Sequence, residues 1–130
     1  MLKKLKLQNL ALIEIIEINF KKGLNVFTGE SGSGKSLILD SLNSLFGGTN
    51  IPLNHLIRPG KNECLIQAIF EITPFVKNFL IENNQFITTN KLIISRNSFI
   101  KDSKVVSKFT INEKPIKRKS LTNGVISNLA

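Results

Sequence analysis

Residues 29–36 read Gly29-Glu30-Ser31-Gly32-Ser33-Gly34-Lys35-Ser36, and few stretches this short restrict a fold so much. A G-x-x-x-x-G-K-S loop does chemistry only between a strand and a helix, where its backbone is aimed at one point in space. Both flanks are in place. Residues 23–28 are short, apolar and β-prone, and residues 37–46 have the length of a helix and run into Gly47-Gly48. The expected fold class is therefore α/β, of the P-loop NTPase type.

The residue types in this loop suit a polyphosphate. Gly29, Gly32 and Gly34 allow successive backbone N–H groups to turn inward, with Glu30, Ser31 and Ser33 shaping the loop between them. The helix that follows adds its unpaired N-terminal N–H groups and the positive end of its dipole. Lys35 is placed to reach the β- and γ-phosphates, and the Ser36 hydroxyl is the expected ligand for Mg²⁺, a hard ion that prefers oxygen. The expected cofactors are ATP and Mg²⁺, held by Gly29, Glu30, Ser31, Gly32, Ser33, Gly34, Lys35 and Ser36.

The 130-residue chain has a formal net charge of +9, which favours anionic partners such as nucleic acid or acidic headgroups, although a lysine-rich solvated face gives the same number. With 42% hydrophobic residues it has enough apolar side chains to build a core. Its single cysteine, Cys64, lies in an apolar run and reads as a buried thiol, which fits a reducing cytoplasm. No stretch is long and apolar enough to span a bilayer, and the N-terminus lacks the apolar core of a signal peptide.

Alternating apolar residues predict strands at residues 2–7 and 14–20, before the loop strand, and at 64–72, 91–96 and 108–112 after the first helix. Residues 47–60, with Pro52 and Pro59, read as loop. Residues 75–82 read as a short helix with Phe75, Phe79 and Leu80 inward, and 120–130 as the start of another. A turn is expected at Glu113-Lys114-Pro115. Two strands before the loop strand and several antiparallel-looking ones after the helix do not suit a small-molecule kinase. They suit an ATPase head with an antiparallel β-layer beside its nucleotide-binding sheet.

The order of several segments resembles the RecN family of bacterial DNA-repair ATPases, relatives of SMC proteins. The segments are Asn9-Leu10-Ala11-Leu12-Ile13-Glu14, then Phe20-Lys21-Lys22-Gly23-Leu24-Asn25-Val26, then the loop with Asp40-Ser41-Leu42. Leu56-Ile57-Arg58-Pro59-Gly60 and Phe109-Thr110-Ile111-Asn112-Glu113-Lys114-Pro115-Ile116 follow in the expected order. The resemblance implies the N-terminal lobe of an ABC/SMC-type ATPase head, with residues 1–130 forming one partial RecF/RecN/SMC-type ATP-binding domain. It also implies DNA as a partner, ATP sandwiched between two heads, and completion of this lobe by a C-terminal half or second head. Arg58 sits where related heads place a basic residue near nucleotide and DNA. The cytoplasm is the expected location.

The resemblance also identifies what these 130 residues do not contain. The signature motif, the Walker B aspartate and the catalytic glutamate of such heads have no counterpart in the sequence. Phosphoryl transfer needs an oriented water as well as charge neutralisation. None of Glu30, Glu63 or Glu71 is assigned that role. The expectation is a lobe that binds nucleotide and does not turn it over by itself, or a non-catalytic remnant. His55 has no ligand-forming neighbours in sequence and reads as a loop residue. The basic run Lys114, Lys117, Arg118 and Lys119 could meet phosphates without reading bases.

Overall fold

Alternation of period two builds most of this molecule. In the computed structural model, which describes residues 2–20, 32–82 and 91–117, the chain runs β1 (Leu2–Leu10), β2 (Ile13–Asn19), α1 (Gly32–Leu45), α2 (Leu53–Leu56) and β3 (Glu63–Glu71). It continues through α3 (Pro74–Glu82), β4 (Lys91–Lys101), β5 (Lys104–Ile111) and β6 (Lys114–Pro115). The strands form a six-stranded sheet in the order β2-β1-β3-β4-β5-β6, with antiparallel pairing throughout.

The register sorts the side chains. Leu5 and Leu7 on β1 stand opposite Ala68 and Ile66 on β3, which in turn face Ile94 and Arg96 on β4. Ile94 and Arg96 stand opposite Ile111 and Phe109 on β5. These positions make one face of the sheet, and Leu5, Leu7, Ile66, Ala68, Ile94 and Ile111 are fully buried there. Helix α1 covers this face, packing against β3 and β4 through Ile38, Ser41, Ser44 and Leu45, which recur at helical spacing. Leu39, on the opposite side of the helix, is exposed.

The other face of the sheet is polar. Lys4 pairs with Glu17 across β1 and β2, Gln67 donates to the Ser95 hydroxyl across β3 and β4 at 3.1 Å, and the Lys108 ammonium lies 5.6 Å from the centre of the Phe99 ring.

Three tight turns set the pairing. Leu10 pairs with Ile13 across Ala11-Leu12, with Ala11 at φ 50°. Lys101 pairs with Lys104 across Asp102-Ser103, and Ile111 with Lys114 across Asn112-Glu113. Both residues of each of the last two turns have positive φ, as a type I′ hairpin requires. Asn112 then fastens to β4, its N–H donating to the Ile93 carbonyl at 2.8 Å and its Oδ1 accepting from the Ile93 N–H at 2.7 Å.

These details shift three sequence expectations. β4 continues to Lys101 and β5 begins at Lys104, and the last turn lies at Asn112-Glu113, which leaves Lys114–Pro115 as a short edge strand. The stretch 47–60 contains the single-turn helix α2, whose Leu56 is buried. The expected loop strand at 23–28 and the helix from 120 lie outside the described residues, and so do the side chains of Phe75, Phe79 and Leu80.

Candidate nucleotide site

Gly32, Ser33, Gly34 and Lys35 form the first turn of α1, and Ser36 follows with an exposed side chain. Gly29, Glu30 and Ser31 lie outside the described residues. The helix therefore begins inside the G-x-x-x-x-G-K-S motif, as a phosphate-binding loop requires. The first N–H groups of a helix have no partner within it, and their dipoles add to a positive end. No acidic residue occupies this first turn. A helix end of this kind can attract an anion, and the Ser36 hydroxyl at its start is exposed.

The far end of α1 is held more tightly than sequence reading suggests. Gly47, at φ 89°, donates to the Ser44 carbonyl at 3.0 Å, and Gly48 donates to the Asn43 carbonyl at 2.8 Å, the pair of bonds of a Schellman cap. A Cβ on Gly48 would fall 2.2 Å from the Asn43 side chain, whose Oδ1 accepts from the Asn50 N–H at 3.0 Å. Asp40 accepts from the Asn50 side-chain amide at 3.2 Å, a local role on the helix flank. The Arg96 guanidinium reaches the same end from β4 and donates to the Ser44 carbonyl at 2.6 Å. Sequence reading passed over Arg96. The available signal was its register: Leu92, Ile94, Arg96 and Ser98 alternate onto the helix-covered face, so an arginine stands where apolar residues are the rule.

Arg58 lies elsewhere than on α1. Its N–H donates to the Asn9 carbonyl, and its guanidinium donates to the Leu12 carbonyl, each at 2.8 Å. With the Ala11 N–H on the Leu56 carbonyl at 2.8 Å and the Leu10–Ile57 bridge, this ties the segment after α2 to the β1–β2 turn. Leu12 at the tip is 86% exposed. A surface cavity of about 340 Å³ opens beside it, lined by Ala11, Leu12, Asn54, His55, Ile57 and Pro59. A larger hollow of about 470 Å³, lined by Lys3, Lys4, Asn19, Ile69, Glu71 and Lys91, sits at one end of the sheet. Its register positions lie mainly on the polar face, away from α1, and Lys3 is paired there with Glu71 at 3.6 Å.

The remaining titratable groups have structural surroundings. Burial pushes the Cys64 thiol above its ordinary pKa, with the neighbouring Ser98 and Arg96 opposing the shift, so it stays a neutral, buried thiol. Among the described residues no cluster of three or more His, Cys, Asp or Glu side chains could hold a metal ion. None of their helices is long and apolar enough to cross a membrane.

With α1 seated on an antiparallel layer and the loop motif at its start, comparison with known proteins is informative. A family model described as an AAA domain matches residues 4–129. The chain belongs to the AAA domain family. It is 36% identical over 116 residues to the DNA repair protein RecN of Rickettsia felis, which covers 83% of this chain and 20% of that protein. To the DNA repair protein RecN of Synechocystis it is 41% identical over 80 residues, or 62% of this chain and 13% of that one. The chain thus spans about one fifth of the length of the curated relatives it matches. Among solved structures, the recombination mediator protein RecF with ATPrS overlays with a TM-score of 0.68 at 14% identity, over 93% of this chain and 29% of that one.

These findings bear out the resemblance to the RecN family over most of the chain. They also bear out the expected N-terminal ATPase-head lobe with its antiparallel β-layer.

Proposed function

We propose that this chain is the nucleotide-binding N-terminal lobe of a RecN-like head that binds ATP with Mg²⁺ and acts in the repair of double-strand breaks and in recombination. The observation that carries this reading is the start of α1 within Gly32–Lys35, on a layer shared with RecF, in a chain whose relatives are DNA repair proteins. Backbone N–H groups of the loop and of the first turn hold the phosphates, Lys35 neutralises the outer ones, and Ser36 supplies a metal ligand. Mg²⁺ held by Ser36 would supply charge neutralisation at the phosphates. Arg58, joined to the β1–β2 turn, is a candidate contact to nucleotide or DNA if its bond to the Leu12 carbonyl opens.

DNA is engaged through its phosphates and without sequence readout, and the basic surface supports this. A C-terminal half-head or a second head completes the site and supplies the groups that orient water. In this reading the lobe works in the cytoplasm at the nucleoid, and by itself it binds nucleotide without turnover.

Titration of the purified chain with a fluorescent ATP analogue tests the proposal. Saturable, Mg²⁺-dependent binding that is lost in Lys35→Ala supports it. Binding that ignores Lys35 refutes the loop assignment, and robust ATP hydrolysis by this chain alone refutes the need for a second half.

A further inference from the structure

We propose that Arg96 is a positioning residue for the phosphate loop: from β4 it fixes the axial register and rotation of α1, and through them the placement of Gly32–Lys35. The inference rests on the nucleotide reading above.

Arg96 is 6% exposed and stands on the sheet face that α1 covers, with Ile66 and Phe109 directly across on the neighbouring strands. Its contacts reach two neighbouring elements. Nη1 donates to the Ser44 carbonyl at 2.6 Å, Nε donates to the Ser107 hydroxyl at 3.0 Å, and the guanidinium carbon lies 5.1 Å from the centre of the Phe109 ring on β5. One planar group thus joins the last turn of α1 to β4 and β5 at once, which the point charge of a lysine cannot do. The positive charge also meets the negative end of the helix dipole.

A buried cation is a poor way to stabilise a core, because an apolar side chain of similar volume does as well or better. What it adds is direction. Apolar packing is non-directional, whereas a guanidinium that bonds α1 with one nitrogen and β5 with another ties the helix end to one place on the sheet. The loop lies at the other end of the same rigid rod: nine residues separate Ser44 from Lys35, roughly 13 Å of helix at its standard rise. A small rotation at the capped end therefore displaces the phosphate-binding N–H groups. Ser44 and Ser107 do not depend on Arg96 for satisfaction. The Ser44 carbonyl also accepts from Gly47, and the Ser107 hydroxyl also bonds to that of Ser98 at 2.7 Å. Removing the guanidinium thus leaves neither of them orphaned.

The test compares Arg96→Met, Arg96→Lys and the reference Leu5→Val in the full chain. Leu5 is buried on the same face, on β1, one strand beyond β3 and without a bond to the end of α1. Each variant is measured for thermal stability, for affinity toward a fluorescent ATP analogue and for amide hydrogen exchange along α1. The expected result for Arg96→Met is a midpoint within a few degrees of the parent, faster exchange in α1 and affinity weakened roughly tenfold or more, in line with the cost of misplacing a binding group. Arg96→Lys should recover part of the affinity, and Leu5→Val should lose stability without that loss. Parent affinity in Arg96→Met, or affinity that merely follows stability across all three variants, overturns the proposal. If the parent chain binds no nucleotide, the loop reading fails separately, and unchanged exchange in α1 of Arg96→Met then overturns the clamp on its own.

Discussion

The two faces of the sheet are made by the same strands, one residue apart, and they obey opposite rules. On the α1 face, Leu5, Leu7, Ile66, Ala68, Ile94 and Ile111 are fully buried, and the polar exceptions, Arg96, Ser98 and Ser107, bond to one another or to the helix end. On the other face, Lys4, Gln67, Asn97 and Lys108 alternate with modest apolar residues, and their contacts are ion pairs, amide–hydroxyl bonds and a cation over a ring. A one-residue slip would exchange the two sets, so the contrast is what holds the register. It also places the motif helix: α1, which begins within Gly32–Lys35, is carried on the dry face, where its position can be set by packing and a few directional bonds.

The most direct way to break this comparison is to cut a β-branched side chain back to alanine on each face. Ile94→Ala should cost about 2–5 kcal/mol in urea unfolding, because Ile94 has no exposed surface and α1 cannot fully close over the void. Val106→Ala, at a 36% exposed position on the polar face, should stay within about 0.5 kcal/mol. Equal losses would mean that the polar face is also a packed interface.

The next effect concerns the helix that covers the dry face. Gly47→Ala places a Cβ on a residue at φ 89°, where L side chains are strained by about 1–2 kcal/mol. The cost should appear as a lower denaturation midpoint, together with faster exchange at the Gly47 and Gly48 amides. A neutral outcome would show that the Schellman cap does not limit α1.

A smaller effect of opposite sign sharpens the picture of the dry face. The Ser44 hydroxyl is buried and has no hydrogen-bond partner among the described residues, although its own carbonyl is doubly engaged by Gly47 and Arg96. Ser44→Ala keeps those backbone bonds and removes a desolvated hydroxyl, so it should raise stability by about 1 kcal/mol. Destabilisation would reveal a partner for that hydroxyl.

The contrast between faces explains what could be read from sequence. Strands β1, β2 and β3 were legible because a half-buried strand must alternate. The end of β4 was not, since Asn97 and Ser98 look like loop residues until pairing with Lys108 and Ser107 gives their backbone a partner. The turns at Asp102-Ser103 and Asn112-Glu113 lack the glycine that usually marks a positive-φ hairpin, so they were displaced or missed. α2 is a single turn and carries no periodicity. At the candidate site, the expectation for residues 29–36 rests on the motif, which is local in sequence, and its described part, Gly32–Lys35, opens α1. Arg96 was not legible as functional, because its partner Ser44 is 52 positions away and only folding joins them. Arg58 was singled out by family position, and its observed bond to the Leu12 carbonyl is a contact of tertiary structure that no pattern encodes.

The smallest expected effect belongs to the polar face and has a definite pH signature. The Lys4 ammonium donates to the Glu17 carboxylate and attracts it electrostatically, with Lys6 adding a lesser pull, and together they hold Glu17 below its ordinary pKa of 4.5. A carboxyl whose folded pKa is depressed binds its proton more readily in the unfolded chain. The linked stability is therefore fully present above the unfolded value and is lost as pH falls through the folded one. Glu17→Gln should match the parent chain at low pH, where the parent carboxyl is already neutral, and fall slightly below it as pH rises past about 5. Because the pair is solvent-exposed, added salt should shrink the gap. A gap that persists at low pH or resists salt would mean that Glu17 contributes through packing, and the division between a dry, positioned face and a wet, weakly coupled one would have to be redrawn at β2.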